Sequence, residues 1–190
     1  MAILQNAFQN TSSSLVQAKF NSTHVDFLMP PLSPLELTAG FLGGAITRGL
    51  IVAVISALGI QLSGLASLSV VHVWPIVWFS LTAAIILGAL GAMGGIWADK
   101  FDHLSAVTNF VIVPLTFLSG TFYDIKVMKE PFLTLAHLDP FFYMIDGFRY
   151  GFIGVANSSI VTGLWVTGVL SVLSTAAVWW MFKVGYKLKA

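Results

Sequence analysis

Cysteine is absent from the 190 residues. Disulfides, thiolate metal sites and thiol nucleophiles are therefore excluded. Charge is scarce as well. Asp, Glu, Lys and Arg make up 9% of the chain, where a soluble domain carries roughly 25%. The remaining polar surface is too small to keep the chain in water, and the composition is that of an integral membrane protein. No GxxxxGK[ST] run occurs, so a nucleotide would have to be held by another chain. No HExxH pattern, Ser/His/Asp set or carboxylate pair is present. His24, His72, His103 and His137 lie far apart, with no ligand spacing. Enzyme chemistry and bound cofactors are not expected. The net charge of +1 gives no reason to expect nucleic acid. The first residues, MAILQNAFQNTSSS, lack a basic start and a long apolar stretch, so they are not a signal peptide.

What the chain has in abundance is long apolar runs. No Asp, Glu, Lys or Arg lies between Gly49 and Ala98. A span takes about 20 residues, so this stretch is two helices broken at the Ser- and Gly-rich residues 61–73. Spans are predicted at about 37–60, 74–97, 105–123 and 160–182. Trp74, Trp78, Trp97, Trp179 and Trp180 fit interface anchors. Pro75 suits a first helical turn. Pro114, inside the third span, removes a backbone hydrogen bond and predicts a kink. Ser33, Pro34 and Glu36 have capping-box spacing for the first span. With four spans, one side carries Lys19, Lys100, Lys183, Lys187 and Lys189, with Arg48 in reach. The other carries Lys126, Lys129 and Arg149. Six against three places both termini in the cytoplasm.

Between the third and fourth spans, 132–138 and 141–156 are too short to cross comfortably. Irregular backbone at membrane depth survives only when buried in protein or lining water. A hairpin of two helices dipping back from the outer face, within 124–157, satisfies this. Asp146 and Arg149 are i, i+3 neighbours, and the expectation is a structural pair holding this hairpin; the sharper alternative is a gate contact. Arg48 has two readings. It lies near a polar path or partner, or its helix starts early enough to leave it among headgroups, which is the expectation. Gly40/Gly44, Gly91/Gly95 and Gly147/Gly151 have the spacing that lets helices approach closely, inside one chain or across a dimer seam. Three N-x-[ST] sequons, at Asn10, Asn21 and Asn157, are read as chance.

The run NFVIVPLTFLSGTFYD, followed by HLDPFFYMIDGFRYGFIG, resembles the C-terminal half of permease subunits of bacterial ABC-2-type transporters. Asn109, Pro114, Leu118-Ser119-Gly120-Thr121-Phe122-Tyr123, Tyr143 and Arg149-Tyr150-Gly151 carry the resemblance. Asp139-Pro140 stands where Asn-Pro is more usual. That family has six spans, and spans at 37–182 resemble its third to sixth. Met1–Phe8 resembles the end of its second, so the chain reads as N-terminally truncated.

The resemblance implies an all-α integral membrane fold. It would have four full spans, an outer re-entrant hairpin and a cytoplasmic amphipathic coupling helix within 11–26. Residues 1–36 would hold the end of a truncated span and the coupling segment, and 37–190 the transmembrane domain. It implies a homodimer in the bacterial inner membrane, among lipids, paired with separate ATP-binding-cassette ATPase subunits that carry the ATP. The cargo class would be a polysaccharide, a lipid-linked glycan or a drug, moved outward. Val16, Gln17, Lys19, Phe20, Val25 and Phe27 would meet the ATPase. Tyr143, Asp146, Arg149 and Tyr150 would form the outer hairpin or gate. The alternatives are an inactive fragment of such a permease, or a passive pore. No span contains an acid, which argues against proton coupling.

Overall fold

The computed structural model describes residues 1–21, 32–64, 69–121 and 132–187. Regular structure among them is helical: α1 (Ala2–Phe20), α2 (Pro34–Ser63), α3 (Val73–Trp97), α4 (Phe101–Leu118), α5 (Phe132–Leu138), α6 (Pro140–Ile153) and α7 (Ile160–Val184). The helices α2, α3, α4 and α7 are long and apolar enough to cross a membrane. These are the four expected spans. α2 starts at Pro34, three residues before its predicted start, because the capping box forms there. The Glu36 amide donates to Ser33 Oγ at 3.3 Å, and the Ser33 amide donates to Glu36 Oε2 at 2.7 Å.

α3 is the central element. Of its most apolar window 61% is buried, against 17%, 17% and 11% for α2, α4 and α7. Helix association in lipid is not driven by the hydrophobic effect, since lipid is as apolar as leucine; close packing must supply it. Glycines on α3 provide that closeness. A Cβ on Gly91 would collide with the Phe8 carbonyl and the Thr11 hydroxyl of α1. One on Gly95 would stand 2.8 Å from Leu15 Cβ, and one on Gly88 2.6 Å from Ala45 Cβ of α2. Gly147 and Gly151 of α6 seat against Phe79, Ile76 and the His72 carbonyl. Two of the three glycine pairs singled out in the sequence thus pack within the chain. The third is split: Gly40 meets nothing within 4 Å, while Gly44 stands against Asn10 of α1.

These contacts set the directions. α1, α3 and α7 run one way, α2 and α4 the other. At the end where α3 stops, lysines from distant parts of the chain converge. Lys19 Nζ donates to the carbonyls of Ile96 and Ala98. Lys187 Nζ donates to the Trp97 carbonyl at 3.0 Å and pairs with Asp99 at 3.2 Å. Cations there satisfy orphan carbonyls and offset the negative end of the helix dipole. This is called the basic end below, and the other the hairpin end.

Two expectations are to be set against this architecture. The first is the break between a truncated span and an amphipathic surface helix. α1 runs without interruption from Ala2 to Phe20, buried against α3 and α2 along one side through Leu4, Ala7, Phe8, Thr11, Leu15 and Ala18. The second concerns Pro114. The irregularity in α4 is a π-helical turn at Thr108–Ile112, in which the Val113 amide bonds the Thr108 carbonyl five residues back. Pro114 has no N–H to continue the pattern, so the helix absorbs its proline by widening one turn beforehand.

Candidate functional site: a polar helix face and a hairpin hub

Successive residues of a helix turn by about 100°. On α1 this gathers Gln5, Asn6, Gln9, Asn10, Ser13, Ser14 and Gln17 onto the side away from α3, all of them partly or fully exposed. Lipid is a poor solvent for such a face, because each unsatisfied amide or hydroxyl costs several kcal/mol there. The serines meet part of that need locally: Ser13 and Ser14 donate to the Gln9 and Asn10 carbonyls at 2.5 and 2.6 Å. The Gln9, Asn10 and Gln17 side chains make no hydrogen bond among the described residues, and are left for water or a ligand. Thr11, facing inward, donates to the Gly88 carbonyl at 2.7 Å and ties the helix to α3.

On one flank of this face α1 meets α4 around a cavity of about 300 Å³. Its polar lining is Gln9, Ser12, Ser13, Ser105, Thr108 and Asn109, and Phe8, Phe101 and Leu104 complete it. The π-helical turn thus supplies two of the polar groups, Thr108 and Asn109. On the other flank stands Arg48 of α2. Its neighbour Gly49 packs on Ile3 and Ala7, and Ala45 lies against Gly88 of α3. Gly88 is nine residues short of the end of α3, roughly 13 Å along the helix. Arg48 therefore lies midway along α2, well inside its span by helix length.

The hairpin end is organised around α6. Asp139 caps it, accepting from the Phe141 amide at 2.9 Å, while its second oxygen is buried without a partner. Burial pushes the Asp139 carboxyl up to about 6, against the Phe141 hydrogen bond, which lowers it. Asp146 is almost wholly buried. It accepts from the amides of Asn157 and Ser158 at 3.0 and 2.9 Å and from the Ser158 hydroxyl at 3.0 Å, just ahead of α7. Arg149 donates to the Gly120 carbonyl at 2.7 Å. Gly120 has φ +73°, a left-handed conformation that glycine adopts without strain. That turn is knotted by Ser119 and Thr121, whose hydroxyls both donate to the Thr116 carbonyl. Tyr143 donates to the His137 carbonyl at 3.0 Å, and Tyr150 stacks on His72 at 5.2 Å.

Asp146 and Arg149 therefore do not form a pair, which corrects the sequence expectation. Each binds backbone from a different element: Asp146 the entry to α7, Arg149 the exit from α4. The i, i+3 spacing placed both on one side of α6, but backbone donors reach the carboxylate before the guanidinium does. Together with Tyr143 and Tyr150, they make α6 the hub joining α4, α5, α7 and the segment before α3.

The residues expected to meet an ATPase divide three ways. Gln17 and Phe20 are exposed at the basic end, with Phe20 stacked on Phe101 at 5.5 Å. Val16 is fully buried beside Ala98 and Leu104. The Lys19 ammonium, part-buried, donates to carbonyls of its own chain. Val25 and Phe27 lie outside the described residues. The face of α1 went unread in the sequence although its signal was there. Polar residues at 6, 10, 13 and 17 alternate with apolar ones at 4, 8 and 15 in helical period.

A family model described as "ABC-2 type transporter" matches residues 1–153. A relative in Escherichia coli K12, "Inner membrane transport permease YadH", is 34% identical over 194 aligned residues, covering 100% of this chain and 73% of the relative. The protein of the same name in Shigella flexneri matches equally, at 34% over the same coverage. No solved structure matches.

Proposed function

Because the chain belongs to the ABC-2 type transporter family, we propose that it is the permease subunit of an ATP-driven exporter whose ATPase is a separate chain. The observation that carries this reading is the polar face of α1, held at membrane depth between α2 and α4. Two copies set with these faces toward each other enclose a wet path, through which a polysaccharide, lipid-linked glycan or drug-like cargo passes outward. The basic end is cytoplasmic, as the distribution of lysines favours, and the membrane is the bacterial inner membrane. The absence of a phosphate-binding loop from the sequence requires the nucleotide to be elsewhere.

Gln17 and Phe20, exposed at the basic end, are assigned by this reading to meet the ATPase together with Val25 and Phe27. A push there reaches the path directly, because α1 is one uninterrupted helix from this contact to Met1. The α5–α6 hairpin is the outer closure. Asp146 and Arg149 pass movement of α4 to α7 through a rigid hub, the kind of element a two-state gate needs. Two apolar grooves along α7, of about 640 and 620 Å³, meet at Ser171 and Val172 and take lipid chains.

The test is co-purification of an ATP-binding-cassette subunit with the full chain, followed by ATP-dependent export in proteoliposomes. Gln17→Ala with Phe20→Ala is expected to lower recovery of the ATPase at least tenfold while leaving the helical content intact. Undiminished recovery would remove the coupling assignment. Cargo flux through the chain without ATP would favour a passive pore instead.

A further inference from the structure

Arg48 is a cation without a counter-ion among the described residues. It is exposed on α2 near mid-depth and makes no hydrogen bond or ion pair among the described residues. No Asp or Glu occurs in α1, α3 or α7, and those of α2 and α4, Glu36 and Asp102, lie in their first turns at the basic end. An isolated charge at this depth costs several kcal/mol unless something answers it.

Its position relative to the polar face follows from the packing. Gly44 stands against the Asn10 amide. Arg48 follows Gly44 by one helical turn on the same side of α2. Since α1 and α2 are antiparallel, Arg48 is level with Asn6, one turn from Asn10 in the matching direction. The guanidinium therefore borders the polar face rather than open lipid. Beyond it toward the hairpin end, α2 exposes Ile51, Val54, Ile55 and Leu58. A positive point on a polar face is thus followed by an apolar wall.

We infer that Arg48 is an anion-recognition point in the path, and that it receives the phosphate or other negative head of an amphipathic cargo whose apolar part lies along the outer half of α2. The inference rests on the reading of the α1 face as the path. A guanidinium suits this task because its planar fork of donors matches phosphate oxygens and cannot lose its charge.

The lack of cysteine makes a direct test available. Asn10→Cys in the full chain gives a single thiol one turn from Arg48. It is labelled with an anionic sulfonate-bearing and a cationic trimethylammonium-bearing methanethiosulfonate, each rate normalised to that of a free thiol. The anionic reagent is expected to be favoured on the order of tenfold. Arg48→Gln should abolish the preference and Arg48→Lys keep most of it, while Asn109→Cys on the opposite flank should show none. Equal rates at Asn10→Cys, or a preference surviving Arg48→Gln, would overturn the inference. No labelling by either reagent at Gln9→Cys, Asn10→Cys or Ser13→Cys would instead overturn the path reading itself.

Protection separates the sources of the anion. Slower labelling in phosphatidylglycerol vesicles than in phosphatidylcholine vesicles, with no effect of inorganic phosphate, assigns a lipid-type head. Slower labelling with inorganic phosphate as well assigns a general phosphate site. Protection by neither overturns the inference.

Discussion

Asp146 and Arg149 illustrate how far spacing alone carries a residue assignment. Their separation fits an ion pair, yet one accepts from Asn157 and Ser158 while the other donates to Gly120. A buried carboxylate that loses its charge amid three aimed donors costs more than a half-buried guanidinium that loses one carbonyl. Asp146→Asn is expected to destabilise by about 2–3 kcal/mol and Arg149→Ala by about 1 kcal/mol, read by thermal unfolding in detergent. The double variant should be additive within about 0.5 kcal/mol. A coupling well above that would restore the pair.

Asp139 makes a prediction of opposite sign. Its carboxyl is raised to about 6 by burial, so the folded state holds a proton that the unfolded chain releases near pH 4. Stability is then greatest below pH 4 and declines as pH rises toward 6, where the buried group is forced to ionise. Asp139→Asn keeps the helix cap, since asparagine caps as well as aspartate. It should flatten the decline between pH 4 and 6 and raise stability at pH 7 by roughly 1–3 kcal/mol. Parallel pH profiles for the two proteins would show that the carboxyl does not titrate in that range. The Asp-Pro pair was visible in the sequence, but the burial of one of its oxygens was not.

At the scale of elements, the spans were legible because 18 to 30 residues of apolar helix have few other uses. The cap at Ser33 was legible because capping chemistry is local. α1 was not. Its polar side resembles that of a surface helix, and only packing against α3 reveals that it stands inside the bundle. The π-helical turn was equally hidden, since proline announces a lost bond but not how the helix accommodates it. The glycines divide the elements cleanly. Gly91→Val meets the Phe8 carbonyl, which cannot move without α1 moving. It is expected to destabilise by about 3 kcal/mol or more, as overpacking at a helix seam does. Gly40→Ala meets nothing within 4 Å. It should be neutral or gain up to about 1 kcal/mol from helix propensity. Equal effects of the two would contradict the close approach of α1 to α3.

For the whole molecule, the lysine count carries the proposal that both termini are cytoplasmic, and the structure shows why two of those lysines gather. Lys19 and Lys187 are 168 positions apart, yet both bond carbonyls at the end of α3. No local pattern connects them. A fluorescent protein fused after Ala190 is expected to fluoresce, and alkaline phosphatase fused there to be inactive, since both report a cytoplasmic C-terminus. The reverse outcome would invert the molecule and exchange the assignments of the two ends.

The glycine-backed seam between α1 and α3 also bears on how the protein is made. With a row of amides and hydroxyls on one side, α1 is a poor lodger in lipid by itself, and its docking surface on α3 is synthesised some 70 residues later. Until Gly91 and Gly95 emerge, the packed side of α1 has only α2 to dock against. A chain altered at that seam would leave the polar side of α1 without its packed back, and less of it is expected to accumulate in the membrane.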